Sequence, residues 1–373
     1  MTTTPSPLLL IGVGGAGCST VRAICRSFNS PIRTLLADTD ASTGQNDANF
    51  ILLGGDRLSG RGTGGSLVDG RMAATDSLKL FEPHITGVRL AVIVTCAGGG
   101  TSGAAIEISS FLKQRGIVTL VFATTPFSFE STERLDTARG ARAILSDTEF
   151  ANASIILPLD ELVAGEDNMT AALSRAIDTL AKGITLFWRL IEKPGYIRLD
   201  IESLRHLIST AGRGRFISLT LRGEDRAEQI LQTLVSHPLL THRNELPRTI
   251  LCGILAGNDL RLSEVATVAN GVRTAFNKNA TFELSTVNDE ETFPGLLGVV
   301  VFLFESPEAQ KEEESTFSGA PAGKNSGRRR KNQLLLNSRQ STTGWFSSVL
   351  PTMYNNVNLD MPTYAREKIR LDT

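Results

Sequence analysis

Apolar residues in the first half of the chain fall in short β-type runs, Leu8–Val13, Arg33–Ala37, Leu90–Thr95, Ile117–Ala123 and Ser154–Leu157, separated by helix-length stretches. A run with almost no polar alternation has no wet face, so it belongs to a strand covered on both sides, as in a parallel sheet. The intervening segments Cys18–Ser27, Ala104–Arg115 and Glu133–Ser146 supply the helices that would cover it. From Asn168 to Glu192 a helical period is sustained through Ala172, Ile177, Leu180, Ile184, Phe187 and Ile191 until Pro194-Gly195 stops it, which predicts one spine helix. Beyond the spine, helices are expected near Ile201–Ser209, Asp225–Val235 and Ser263–Phe276. Strands are expected near Phe216–Leu221, Thr249–Ala256, Thr281–Ser285 and Gly298–Phe304.

This patterning ends at about Glu305. Glu, Lys, Ser, Gly, Asn and Arg then dominate to roughly Asn355, too few apolar side chains to offset chain entropy. The run Arg328-Arg329-Arg330-Lys331 within it reads as a solvated charge cluster. Apolar character returns around Val357–Arg366, and an apolar tip on a polar tether reads as a docking peptide. The expected fold class is α/β: a Rossmann-like parallel-sheet domain over residues 1–167, a long central helix over 168–193 and a smaller α/β domain over 194–305. A disordered linker over 306–355 and a docking peptide over 356–373 complete it.

Composition removes several classes of function. A net charge of −1 over 373 residues argues against a nucleic-acid partner. Cys18, Cys25, Cys96 and Cys252 lack CxxC spacing, so neither a zinc site nor a disulfide framework is expected, and a reducing cytoplasm suits them. The histidines show no metal-ligand spacing, no apolar run is long enough to span a bilayer, and Met1–Pro7 lacks the parts of a signal peptide.

The chemistry concentrates in glycine. Gly12-Val13-Gly14-Gly15-Ala16-Gly17 and Gly98-Gly99-Gly100-Thr101-Ser102-Gly103 each follow a buried-type strand and open a helix. Glycine lets backbone N–H groups close on phosphate oxygens, and the helix behind presents its positive end to the same anion. The first turn, Gly12-x-Gly14-x-x-Gly17 with Asp38 about 20 residues on, is also the dinucleotide fingerprint and taken alone favours NAD or FAD. The second turn is what a nucleoside triphosphate needs and a dinucleotide fold does not. A third cluster, Ser59-Gly60-Arg61-Gly62-Thr63-Gly64-Gly65, offers a further loop over a terminal phosphate. No GxxxxGK[ST] motif is present, which excludes a Walker-type site.

Together these motifs resemble FtsZ, the bacterial family of tubulin-like GTPases, from Leu8 to about Glu305 and again in the tail. The first turn resembles the family's GVGGGG loop, Ala37-Asp38-Thr39-Asp40 its NTD loop, and Gly98 to Gly103 its GGGTG[ST]G signature. Thr125-Pro126-Phe127-Ser128-Phe129-Glu130 with Arg134 is similar to its ribose-contacting segment. Gly223-Glu224-Asp225-Arg226-Ala227 and Asp259-Leu260-Arg261-Leu262-Ser263-Glu264 are also close matches. The resemblance implies GTP with Mg²⁺. Phosphates would meet Gly14, Gly15, Ala16, Gly17 and Ser19 on one side, and Gly98, Gly99, Gly100, Thr101, Ser102 and Gly103 on the other. Asp38, Glu130 and Arg134 would complete the sugar and phosphate contacts, and Asp178 on the spine helix would take the base. A carboxylate there accepts from guanine N1–H and the exocyclic amine but repels adenine's acceptor edge. The resemblance also implies a homopolymer stacked head to tail for bacterial cell division, cytoplasmic and at the division site, without direct membrane insertion. Leu359-Asp360-Met361-Pro362-Thr363-Tyr364-Ala365-Arg366 is similar to the family's LDIPxFLR peptide, which docks on membrane-anchoring division proteins.

The departures from the family pattern bear on catalysis. The second loop is one glycine short, Ala16 and Cys18-Ser19 stand where glycine and asparagine are usual, and Leu173 replaces an aromatic residue over the base. In the family an NxDxxD loop from the next subunit orients the attacking water, and phosphoryl transfer depends on such positioning. Here the asparagine has become Arg198 and the second carboxylate Ser203, leaving Asp200. The expected catalytic set is Asp200, with Glu202 as a shifted carboxylate and Arg198 as a cation for developing phosphate charge, and the expected hydrolysis is slow. A second reading is a hydrolysis-deficient paralogue that copolymerises with or regulates division filaments. A remote third, a dinucleotide-dependent oxidoreductase, rests on the first turn and Asp38 alone.

Overall fold

The computed structural model describes residues 6–28, 32–44, 47–163, 168–209, 211–241 and 246–305, together with 353–354 and 357–358. The first half runs β1 (Leu8–Val13), α1 (Gly14–Arg26), β2 (Thr34–Asp38), β3 (Phe50–Leu52), α2 (Leu67–Ser77), β4 (Leu90–Cys96), α3 (Thr101–Gln114), β5 (Val118–Thr125), α4 (Thr132–Leu145) and β6 (Ala153–Pro158). The spine is α5 (Met169–Glu192), followed by α6 (Ile201–Ile208), β7 (Gly212–Arg222), α7 (Arg226–Ser236), β8 (Thr249–Ala256), α8 (Leu262–Phe276), β9 (Thr281–Asn288) and β10 (Leu296–Phe304), with shorter helical turns between. A separate unit contains β11 (Met353–Tyr354) paired antiparallel with β12 (Val357–Asn358). Apart from Met353–Tyr354, which are a strand where a disordered linker was expected, the residues of that linker and the Leu359–Arg366 peptide lie outside the described residues.

One ten-stranded sheet carries the unit Met1–Ser318, in the order β3-β2-β1-β4-β5-β6-β7-β10-β8-β9. Strands β3 to β6 pair in parallel, β7 joins β6 in parallel, and β10 is antiparallel to both β7 and β8. Alternation along each strand assigns its side chains to opposite faces. Leu8 and Leu10 of β1 enter the core formed with α1 and α5, whereas Leu9, Ile11 and Val13 enter the core beneath α2, α3 and α4. In β10, Val300, Phe302 and Phe304 face the α5 side, and Val299, Val301 and Leu303 pack with Ile230, Leu234, Val268 and Val272 of α7 and α8.

The expected elements are present, with informative shifts at their ends. Helix α1 starts at Gly14 rather than Cys18, and α3 at Thr101 rather than Ala104, because these glycine-rich residues themselves form the first helical turn. Strand β7 begins at Gly212, before the apolar run, since Arg213 and Arg215 are buried in it. Helix α2 had no apolar signal: its inward positions are Gly70, Ala73, Ala74 and Ser77. Trp188 is a core residue, 1% exposed.

Helix α5 lies against the sheet where its parallel and antiparallel parts meet. Phe302 of β10 packs on Phe216 of β7 at 4.7 Å between centroids, Phe187 of α5 at 5.0 Å and Phe122 of β5 at 6.2 Å. Arg189 of the same helix is ion-paired with Asp289 at 2.8 Å, both side chains buried. Phe302→Ala should destabilise the protein by about 3–5 kcal/mol, lost transfer energy plus a cavity that rigid strands cannot close. Urea unfolding followed by circular dichroism measures it, and a loss below about 1 kcal/mol would mean the cluster repacks.

Candidate functional site

Strands β1 and β4 are hydrogen-bonded neighbours in parallel, with Leu8 opposite Leu90 and Gly12 opposite Val94. Their C-terminal ends therefore emerge at one pole, α1 following the first at once and α3 following the second after Ala97–Gly100. Neither helix has a capping side chain, and neither has an acidic residue in its first turn. First-turn N–H groups lack the usual intrahelical partners. In α3 those of Ser102 and Gly103 donate instead to the Gly99 and Gly100 carbonyls at 3.0 and 2.9 Å, and two positive helix ends side by side without an acidic residue suit an anion.

The glycines are required by contact. At Gly14 φ is +77°, and a Cβ would lie 2.4 Å from Thr101 Oγ1, so the two loops touch there. At Gly17 a Cβ would lie 2.2 Å from the Val94 carbonyl oxygen, which holds α1 directly on β4. Gly15 has nothing within 4 Å of that position and, with Ala16, is exposed, so this turn opens outward. Ser19, one turn into α1, is half-buried. In the second loop Gly98 abuts Pro126, Gly100 abuts Thr63 and the Ser66 carbonyl, and Gly103 abuts the Leu67 carbonyl. The third glycine cluster thus flanks the second loop, tied to β2 by the Gly62 N–H donating to the Thr39 carbonyl at 3.0 Å. Ser102 is fully buried and its hydroxyl donates to the Gly99 carbonyl, so it shapes the loop, while Gly99 and Thr101 are half-buried at its rim.

Glu130 and Arg134 are brought to the same pole. Glu130 accepts from the Phe127 N–H at 2.9 Å and pairs with Arg134 at 2.8 Å, and Arg134 Nε donates to the Gly98 carbonyl at 3.4 Å. Asp38 is 4% exposed and turned inward, accepting from the Thr39 N–H at 2.7 Å and the Thr43 hydroxyl at 2.8 Å, which stabilises the turn after β2. Asp178 is exposed on α5 and makes no hydrogen bond or ion pair among the described residues. Its part of the helix is anchored by Ala176, which packs with Phe127 and Leu159.

The remaining candidates sit at the other pole. Arg198, Leu199, Asp200 and Ile201 line one pocket with Ser6, Pro7, Leu8 and Arg89, the residues that begin β1 and precede β4. Asp200 is the N-cap of α6: its Oδ1 accepts from the Ser203 N–H at 2.7 Å. That bond, aided by Arg198 nearby, holds its carboxyl below the usual carboxylate range. Glu202 is paired with Arg89 at 2.5 Å and Arg205 at 3.2 Å, and the Arg89 hydrogen bond lowers its pKa. Spacing alone could not reveal this, since Arg89 is distant in sequence. The structure therefore gathers the glycine loops, Glu130 and Arg134 at one end of the sheet and the Asp200 loop at the opposite end, about 20 Å of strand away.

A parallel sheet ending in paired, uncapped glycine turns defines a nucleotide-binding α/β protein of non-Walker type. Residues 7–164 match the Tubulin/FtsZ family, GTPase domain, and residues 218–303 match the FtsZ family, C-terminal domain. The chain is 31% identical over 290 residues to the cell division protein FtsZ of Pseudomonas aeruginosa, covering 76% of this chain and 73% of that one. It is 31% identical over 294 residues to FtsZ of Pseudomonas putida, covering 77% and 73%. Among solved structures, an empty FtsZ dimer from M. jannaschii superposes with a TM-score of 0.74 at 22% identity, covering 82% of this chain and 90% of that one. CetZ2 from Haloferax volcanii, a GTPγS-bound protofilament, gives 0.64 at 18% identity, covering 83% and 97%. The chain belongs to the FtsZ family of tubulin-like GTPases, a divergent member of it.

Two outcomes test the cradle. Gly17→Ala must push α1 off the Val94 carbonyl, so affinity for a fluorescent GTP analogue should fall by about tenfold or more. An unchanged affinity would show that the α1–β4 contact does not set the loop. Beneath that loop Cys18 is fully buried, and burial, with Asp38 adding to it, pushes its thiol up to about 12. Burial does the same to Cys252, also to about 12. Neither should react with a thiol reagent at pH 8 until urea is added. Because both folded values are raised above 9.0, the stability they contribute is complete below pH 9.0 and is lost as pH rises towards 12.

Proposed function

We propose that this protein binds GTP in the glycine cradle and assembles head to tail into filaments that serve bacterial cell division, hydrolysing GTP slowly between subunits. The observation that carries the reading is the separation of the two poles. The Asp200 loop lies about 20 Å of strand from the glycine loops of its own chain, so only a second copy can bring it to a bound nucleotide. Such a contact joins unlike surfaces and does not close on itself, which makes a filament its natural product.

In this reading, N–H groups of Gly14–Gly17 and Gly98–Thr101 take the phosphates, while Ser102 and Gly103, whose N–H groups donate to the Gly99 and Gly100 carbonyls, shape the second loop. Ser19 stands at the edge of the first loop and Arg134 beside the second. Asp178 takes the guanine edge, and Asp38 acts through the turn it braces. Mg²⁺ fits a site whose protein donors are mainly backbone, since it keeps several waters and is held largely by phosphate oxygens. Asp200 orients the attacking water. Residues 1–167 then form the nucleotide domain, 168–193 the central helix and 194–305 the half that carries the loop to the neighbour. Residues 306–355 tether Leu359–Arg366 to a membrane-anchoring division protein, which puts the filament in the cytoplasm at the division site.

Ser203 at the position of the second family carboxylate favours one other reading, a hydrolysis-deficient paralogue that copolymerises with or regulates division filaments. Light scattering at 90° with Mg²⁺ and GTP, GDP or no nucleotide, with phosphate release sampled in parallel, separates the two. The expected result is GTP-dependent assembly with slow phosphate release that rises more steeply than protein concentration. Asp200→Ala should assemble but release phosphate at least about 10²-fold more slowly. Assembly without phosphate release would favour the paralogue, and phosphate release strictly proportional to protein in the absence of assembly would exclude an intersubunit site.

A further inference from the structure

The loop between α5 and α6 is held on both sides of Arg198. A Cβ at Gly195 would lie 1.5 Å from the Thr286 carbonyl oxygen, so the backbone lies flat on β9. The Ile197 N–H donates to Thr286 Oγ1 at 2.9 Å, and its carbonyl accepts from the Thr286 N–H at 2.8 Å and from Ser285 Oγ at 3.1 Å. Leu199 is fully buried, and Asp200 is fixed by its bond to the Ser203 N–H. Arg198 is the exposed residue between these anchors. Its guanidinium has no hydrogen bond or ion pair among the described residues, and it lies close enough to Asp200 to help lower that carboxyl's pKa.

The alternative, that Glu202 swings in as a second carboxylate, is opposed by its pairing with Arg89 and Arg205, which ties it to the start of β4 and to its own helix. What the loop offers outward is one cation and one anion, held two positions apart on a fixed backbone.

We propose that Arg198 works in trans, its guanidinium facing the terminal phosphate of the nucleotide held by the next subunit. The proposal rests on the head-to-tail reading above. In the reaction, the water oxygen bonds to the γ-phosphorus as the bond from that phosphorus to the β–γ bridging oxygen breaks. GDP leaves with that electron pair, inorganic phosphate keeps the water's oxygen, and a proton passes to solvent. Charge gathers on the bridging and equatorial oxygens as this occurs. A permanently protonated, planar donor held at that point neutralises it without exchanging a proton. Asp200 then orients the water alone, and the missing second carboxylate is offset by a cation rather than replaced in kind.

Phosphate release per assembled subunit is measured for the unaltered chain, Arg198→Ala and Arg198→Lys, with light scattering recorded in the same samples. Arg198→Ala is expected to assemble above the same threshold concentration and to release phosphate about 10²-fold more slowly, the scale for removing one transition-state donor. Arg198→Lys should be intermediate, since it keeps the charge but not the planar fork. Equal or faster release by Arg198→Ala from filaments of normal mass overturns the arginine's role and leaves the head-to-tail reading standing. No assembly of the unaltered chain with GTP overturns both, and assembly with no phosphate release overturns the role of Arg198. Circular dichroism excludes misfolding, and a folded Arg198→Lys that matches Arg198→Ala in a lowered rate shows that bidentate geometry, beyond charge, is what the site uses.

Discussion

The parallel pairing of β1 with β4 is the constraint on which the site depends. Because Gly12 stands opposite Val94, both strands end together, and the two helices that follow them must start side by side. Gly17 then presses α1 onto the Val94 carbonyl, and Gly14 brings the first loop against Thr101. The same pairing aligns the strands' beginnings at Leu8 and Leu90, where Arg89 meets Glu202 and the Asp200 loop is attached. One register thus sets what lies at each end of the molecule.

Two of the close local matches to the family are joined by a buried ion-pair cluster. Gly223–Ala227 and Asp259–Glu264 meet through Arg226, whose buried guanidinium reaches Glu264 at 2.6 Å and Asp259 at 2.8 Å. Glu264 also accepts from the Arg261 N–H at 2.9 Å and so closes the first turn of α8. A buried guanidinium deprived of these partners would be strongly destabilising, which explains the motif without any part in nucleotide chemistry.

Much of the fold was legible because buried parallel strands are written as apolar runs: β1 and β8 fall on the residues that the pattern predicts. Helix α2 was not, since it packs through glycine and alanine and leaves Val68 and Met72 exposed, which reverses the amphipathic signal. The start of β7 was hidden because its inward positions are arginines that pair with Glu305. Of the candidate site, the glycine loops were readable from spacing, whereas Glu130 and Arg134 were named only through the family resemblance, and their mutual ion pair was not anticipated. The fate of Glu202 was not, because only the fold brings Arg89 to it. The inward turn of Asp38 was likewise invisible, since a carboxylate at a strand end reads the same whether it faces a ligand or its own backbone.

The join between β6 and β7 has a mechanical meaning. The two parts of the sheet meet there through only Ala153 opposite Gly212, Ser154 opposite Arg213 and Ile155 opposite Gly214, whereas β7 and β10 pair along nine residues. Beside this short ladder α5 bridges the halves, meeting the first through Thr185 against Ser27 and Arg189 over Phe28, and the second through Phe187 against Phe302 and Arg189 against Asp289. Helix and ladder thus act in parallel, so a twist of one half against the other strains both the three paired residues of β6 and β7 and the side chains that α5 sets between the halves.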